Sequence, residues 1–266
     1  MKTQITAILI LLFAFSQLRA QEFKVIHVNG TIIAKSTRSS LKRGSAFGEQ
    51  EKFQYKTNGA RAVVINPKKG QRFILKNNRA DTSFRRANLT PSAGNISSRA
   101  GALVNRLDLQ NHFNGKYVIL GESLKVVINS AAFPMNKDNF FYIQYVYKNE
   151  KINKKLYHSG DTLIIYRDSL LRVDGKPVKN EDITDMRLIY VSKIDGKLFQ
   201  SVISSTFYPV FPDNDILKEE VAIIRDAMKG KTEDEIINAI DSYIADVYGK
   251  PNKDNVRAWY KACFKK

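Results

Sequence analysis

Lysine and arginine are the chemistry-bearing side chains that this sequence holds in quantity. There are 43 of them against 26 Asp and Glu, a formal net charge of +17. The excess is uneven: Gln21 to Met135 contains 19 basic and 6 acidic residues, and Asn136 to Lys266 contains 22 and 20, so the first stretch carries +13 and the second +2. Seven early cations sit in or beside turn-rich segments: Lys35, Arg38, Lys42 and Arg43 in the stretch to Gly48, and Lys68, Lys69 and Arg72 around the turn at Pro67 to Gly70. Guanidinium groups grip phosphate or carboxylate in two-pronged fashion, and ammonium groups act as point charges. The chemistry on offer is therefore anion binding, with an anionic cell-envelope component or an acidic protein as the partner. Solubility on a lysine-rich background explains the same charge equally well, because charge constrains partners and not fold.

Other chemistry is harder to assemble from the residues present. His27, His112 and His158 have no second histidine or cysteine at ligand spacing, so no metal or other cofactor is expected. Gly44-Ser-Ala-Phe-Gly48 lacks the serine at the third position that a nucleophile elbow requires. His158, Ser159 and Asp161 are neighbours in a turn, whereas triads are assembled by the fold. Lys68-Lys69-Gly70 is too short to cradle phosphate. The acids at Glu219-Glu220 and Glu233-Asp234-Glu235 read as first-turn residues that favour the positive end of a helix dipole. No catalytic residue stands out. The enzymatic alternative is an exported hydrolase on envelope polymer, whose two carboxylates, about 5–10 Å apart, would meet only through the fold.

The elements that must position these residues follow from pattern. Lys2, the apolar run Ile5 to Phe15 and the stretch Ser16 to Ala20 have the form of a secretory signal peptide with cleavage after Ala20. The run falls short of the about 20 apolar residues that a membrane-spanning helix needs. The mature chain is thus expected to be secreted or periplasmic and to have no transmembrane span. With 43% apolar residues it has the material for real cores. Its single cysteine, Cys263, excludes an internal disulfide.

Residues 21–76 read as a small basic β domain. Asn29-Gly30 between two β-rich runs predicts a type I′ hairpin, and 61–65 and 72–76 predict two strands joined by a tight turn. Residues 77–112, polar and holding Arg79, Arg85, Arg86, Arg99 and Arg106, read as a basic linker. Residues 113–211 predict a β-sandwich, with strands at 117–120, 124–128, 140–147, 162–166, 170–173, 186–192 and 197–204 separated by Gly-containing turns. The period then becomes helical, and 212–266 reads as a three-helix appendage in which Thr232 and Glu235 form a capping box. Lys253, Arg257, Lys261 and Lys265 recur every four residues on the last helix. That stripe is read as a solvated face; with export expected, nucleic acid is not the anticipated partner. The fold class is mainly β.

The runs KVIHVNGTI, LKRG and ARAVVINPKKGQRFIL in residues 24–76 resemble the small β domain of FecR-like periplasmic proteins, in which a glycine hairpin, a leucine-x-x-glycine step and a long hairpin recur. The resemblance implies a fold for this segment. It also implies a third functional reading, a sensory partner of an outer-membrane system.

Overall fold

A computed structural model describes residues 23–81, 83–92 and 102–265. The expected signal peptide lies outside the described residues, as do Arg99 and most of the serine-rich run before it. The protein is mainly β, with several antiparallel sheets and a C-terminal helical segment. Among the described residues no helix is long and apolar enough to cross a membrane. The chain divides into two compact units, whose described parts are 23–92 with 219–231, and 102–218 with 232–265.

In the first unit, strands β1 (Phe23–Asn29), β3 (Ala46–Phe47), β5 (Arg61–Asn66), β6 (Gln71–Lys76) and β8 (Leu89–Pro91) form a sheet in the order β3-β1-β5-β6-β8. Strands β2 (Ile32–Ala34), β4 (Lys52–Tyr55) and β7 (Arg85–Arg86) form a second sheet. Phe23, Val25, Ala62, Val64 and Leu75 from the first sheet and Ile32, Ala34, Phe53 and Tyr55 from the second share one core. The β5–β6 hairpin forms as its sequence predicts, in register from Arg61 opposite Lys76 to Asn66 opposite Gln71.

The Asn29-Gly30 hairpin does not form. β1 pairs with β3 and β5 while β2 pairs with β4, so the turn carries the chain from one sheet to the other. Gly30 has φ +78°, and a Cβ there would lie 2.9 Å from Ala60 Cβ. The turn chemistry was legible, but pairing partners are chosen by the core: Val25 and Ile32 are buried in it from opposite sheets. The segment read as a linker is also more ordered than its composition implies. It supplies β7, β8 and helix α1 (Arg106–His112). Short edge strands are held by backbone hydrogen bonds and keep polar side chains in solvent, so no apolar alternation announces them; both residues of β7 are exposed.

In the second unit, β11 (Phe140–Tyr147), β12 (Glu150–Lys155), β17 (Ile183–Ile194) and β18 (Lys197–Val202) form a sheet in the order β12-β11-β17-β18. A second sheet has the order β10-β14-β13, from β10 (Ser123–Val127), β13 (Tyr157–Ser159) and β14 (Thr162–Tyr166). Phe141, Ile143, Tyr145, Met186 and Leu188 of one and Leu124, Val126, Leu163 and Ile165 of the other enter a single core, which makes this a sandwich. Strands β12 and β13 have no counterpart in the sequence reading. β12 is an edge strand whose run Glu-Lys-Ile-Asn-Lys-Lys offers no apolar face, the usual guard of a sheet edge. After β14 come the short helix α2 (Arg167–Leu170) and the paired strands β15 (Arg172–Val173) and β16 (Lys176–Pro177), and a third sheet is parallel, with β9 (Gly115–Val118) between β19 (Phe207–Val210) and β20 (Lys250–Pro251).

Helices α3 (Asn214–Ala227), α4 (Glu233–Val247) and α5 (Lys253–Phe264) follow the apolar periodicity, and Thr232 with Glu235 makes the full capping box. They do not form one appendage, because Glu219–Lys231 groups with the first unit and Thr232 onward with the second. The reason is packing. Glu220 of α3 meets His27 in the first unit, and α4 packs on α5 within the second. The acidic run at the start of α4 and the basic stripe of α5 explain one another: Asp234 pairs with Arg257 at 2.7 Å, and Glu233 pairs with Lys261 and Lys265. Cys263 is half-buried, and burial pushes its thiol up.

Candidate anion-binding surface

The described residues of the first unit hold 18 Lys and Arg against 6 Asp and Glu, a net +12; those of the second hold 21 against 19, a net +2. Of the seven cations singled out from sequence, five are exposed in the structure: Lys35, Arg38, Lys42, Lys68 and Lys69. Lys35 follows β2, where its amide donates to Lys52 O at 2.9 Å. The next residue is fixed by Glu51, whose carboxylate accepts from Ser36 N at 3.1 Å and from Ser36 Oγ. Partial burial raises the Glu51 carboxyl, but these bonds outweigh it and hold the group below its usual range. Arg38 has φ +53° and lays its guanidinium 5.3 Å from the centre of the Phe84 ring. Lys42 donates its amide to Ser45 Oγ, leaving its ammonium in solvent.

At the β5–β6 turn, Asn66 Oδ1 accepts from the amides of Lys68 and Lys69 at 3.0 and 3.1 Å, and Asn66 O accepts from Gly70 N at 2.8 Å. The turn's amides are therefore consumed internally. Only the two ammonium groups face outward, which suits long-range attraction and not a phosphate cradle.

The remaining two cations are engaged by other side chains of the unit, Arg72 buried and Arg43 half-buried. Arg72 is 8% exposed, donates to Ser92 Oγ at 3.2 Å and so ties β6 to the end of β8. Arg43 pairs through Nε with Glu219 at 2.9 Å and approaches Glu220 at 3.8 Å. Glu220 is 1% exposed and also lies 2.8 Å from His27 Nδ1. A bulge in β1 between Val25 and His27 makes this contact possible. One extra residue shifts the alternation, and His27 turns to the face opposite the core shared with β2 and β4. Glu220 is thus a buried acceptor in the second turn of α3 and not a first-turn dipole partner. The bulge was the missing signal, because strict period two would have pointed His27 with Phe23 and Val25.

The second unit holds a polar cluster that sequence reading missed. His112, at the end of α1, is 3% exposed, and its Nε2 lies 2.5 Å from Tyr117 Oη. Asn252, the N-cap of α5, accepts from Asn255 N at 2.8 Å through Oδ1 and hydrogen-bonds Tyr117. Burial, reinforced by the Lys250 charge, lowers His112 to about 4. Burial also pushes the Tyr117 hydroxyl well above its ordinary range. The trio is neutral at pH 7. Residues 5 and 135 positions from Tyr117 come together only because β9 pairs with β20, so sequence proximity carried no signal for Asn252.

Glu122 and Asp168 line a separate open cleft of about 490 Å³ in this unit, with Tyr166, Arg167 and Asn214. Arg167 stacks 4.9 Å over the Phe211 ring. Among the described residues no group of three His, Cys, Asp or Glu is placed to hold a metal ion.

No family model matches the sequence, and no curated protein matches it. Among solved structures the chain is similar to the crystal structure of Dscam1 isoform 8.4, N-terminal four Ig domains, at 13% identity and a TM-score of 0.21, over 73% of this chain and 46% of that one. A likeness at that level carries no argument about function.

Proposed function

We propose that this is an exported, non-catalytic binding protein whose first unit holds an anionic partner, an envelope polymer or an acidic protein. The contact runs through Lys35, Arg38, Lys42, Lys68 and Lys69. The observation that carries this reading is the division of labour among the early cations: these five are exposed on a unit of net +12, while Arg43 and Arg72 are engaged inside it. Spread over several turns, and with the amides of the Lys68–Lys69 turn already consumed, such a surface favours an extended polyanion over a single phosphate. The resemblance of residues 24–76 to FecR-like domains supports a sensory version, in which the acidic partner is a protein of an outer-membrane system.

Retention of the mature chain on anionic polysaccharide and on vesicles containing anionic lipid tests the proposal. Retention should fall steeply as salt rises. A fivefold variant with Lys35, Arg38, Lys42, Lys68 and Lys69 all changed to Glu should bind about tenfold or more weakly at low salt, with a flattened salt response. Binding and salt response that survive the reversal would end the proposal. The hydrolase reading attaches instead to the cleft with Glu122 and Asp168. Turnover of envelope polymer that is abolished by Glu122→Gln or Asp168→Asn would favour it.

A further inference from the structure

The four-stranded sheet of the second unit has two edges, and they are finished differently. β12 closes one with Glu150, Lys151, Lys154 and Lys155, charges that keep an edge from pairing. β18 closes the other with Lys197-Leu-Phe-Gln-Ser-Val202, in which every residue is exposed and the one charge stands at the end. Six large apolar side chains, each 42–64% exposed, gather at this second edge. Leu198, Phe199 and Val202 lie on the strand, Ile194 at the turn before it, and Val104 and Leu107 beside Arg106, whose guanidinium donates to Val202 O at 2.8 Å. Leu198 and Val202 carry the apolar cluster of Tyr142, Ile189 and Val191, on the outer face of the sheet, out to its rim.

The register decides which backbone groups are open. Ile203 N donates inward to Leu188 O at 2.9 Å, so by the alternation of an antiparallel ladder Leu198, Gln200 and Val202 direct their N–H and C=O groups away from β17. The Arg106 bond agrees with this and occupies the Val202 carbonyl. The backbone groups of Leu198 and Gln200 have no partner among the described residues, so an added strand is offered both the donor and the acceptor of each.

The geometry points to self-association of the chain through this edge, with β18 pairing antiparallel to β18 of a second copy about a two-fold axis at Phe199. In that register Leu198 faces Gln200 of the copy and Gln200 faces its Leu198, so all their open groups are met reciprocally and nothing is asked of the Val202 carbonyl. An axis one residue further on, at Gln200, would require that carbonyl. Phe199 stands opposite Phe199 of the copy at a non-hydrogen-bonded position, where side chains approach most closely. On the other face Leu198 reaches Leu198 and Val202 of the copy along the diagonals. Lys197 falls opposite Ser201, so no like charges meet. Six side chains that each leave on the order of 100 Å² in solvent amount to about 1,200 Å² over two copies, the lower bound of specific interfaces, so the dimer is weak and dissociates in the micromolar range. This contact is independent of the anion binding proposed for the first unit.

Sedimentation velocity of the mature chain through a micromolar concentration series tests the proposal. The mass should rise from one chain to two. Phe199→Lys and Phe199→Glu, changes at an exposed position, each place like charges opposite one another at the axis and should weaken association about tenfold or more. An equimolar mixture of the two variants should recover a dimer, because opposite charges then face each other. A chain that stays single throughout the series would overturn the proposal. So would variants that associate as well as the natural chain, or a mixture that associates no better than either variant alone.

Discussion

His27 and His112 stand in units of different electrostatic character, and their partners differ accordingly. The first unit has three times as many basic as acidic side chains, 18 against 6, and there the buried carboxylate of Glu220 gathers both His27 and Arg43. The second unit is close to balance, 21 against 19, and its buried histidine meets a phenol and an amide. Its charges pair on the surface instead, as Asp234 with Arg257 and Glu233 with Lys261 and Lys265. The contrast separates two uses of charge. Where cations outnumber acids, the surplus must remain in solvent, and that surplus is the binding surface proposed above. Where the signs balance, the acidic start of α4 and the basic stripe of α5 neutralise each other in solvent.

Removing Glu220 should break the first side of this comparison most severely. Glu220→Ala withdraws a buried acceptor from His27 and Arg43 and should destabilise the first unit by about 3 kcal/mol. Hydrogen exchange of the Ile26 and Val63 amides reads it, and a loss below about 1 kcal/mol would show that the contact does not fasten α3 to the sheet.

The second side breaks with acid. His112 is lowered from 6.5 to about 4 in the folded unit, so the unfolded chain binds a proton first as pH falls. The stability conferred by a neutral buried imidazole is whole above about pH 6.5 and should drop by about 3 kcal/mol on the way to pH 4. Urea titrations followed by the fluorescence of Trp259, the only tryptophan, report on this unit. His112→Gln should flatten the pH dependence, and an unchanged slope would place the titration elsewhere.

A smaller effect tests how β20 is brought beside β9, the pairing that delivers Asn252 to Tyr117. Gly249 has φ +131°, and a Cβ there would meet Lys116 O at 2.7 Å. Gly249→Ala should cost about 2 kcal/mol in the same urea titration and shift the His112 ring resonances. Thr232→Ala should cost least, about 1 kcal/mol, because it removes only the side-chain cap of α4 while the Asp234–Arg257 pair persists. Its signature would be faster exchange confined to the first turn of that helix.

Local chemistry was legible wherever a residue's neighbours in sequence are also its partners in space. The capping box at Thr232, the stop of α3 near Gly230, the β5–β6 hairpin and the apolar strand β11 all emerge where the residue pattern places them. The exposed cations Lys35, Lys42, Lys68 and Lys69 belong to the same class, since turn residues have no core to enter. Edge strands β7, β12 and β13 left no mark, because backbone pairing makes no demand on side-chain polarity.

The amino-acid sequence by itself determined the mainly β class, the succession of the three C-terminal helices and the concentration of positive charge in the first third of the chain. These depend on propensities, caps and counts that need no knowledge of what packs where. Only the tertiary structure decided that the turn at Gly30 joins two sheets, that Arg72 is buried and Arg43 is paired with Glu219, and that Glu220 meets His27. It alone brought His112, Tyr117 and Asn252 together. Each of these outcomes depends on which buried face finds which partner, and that is settled by cores and strand pairings between residues far apart in sequence.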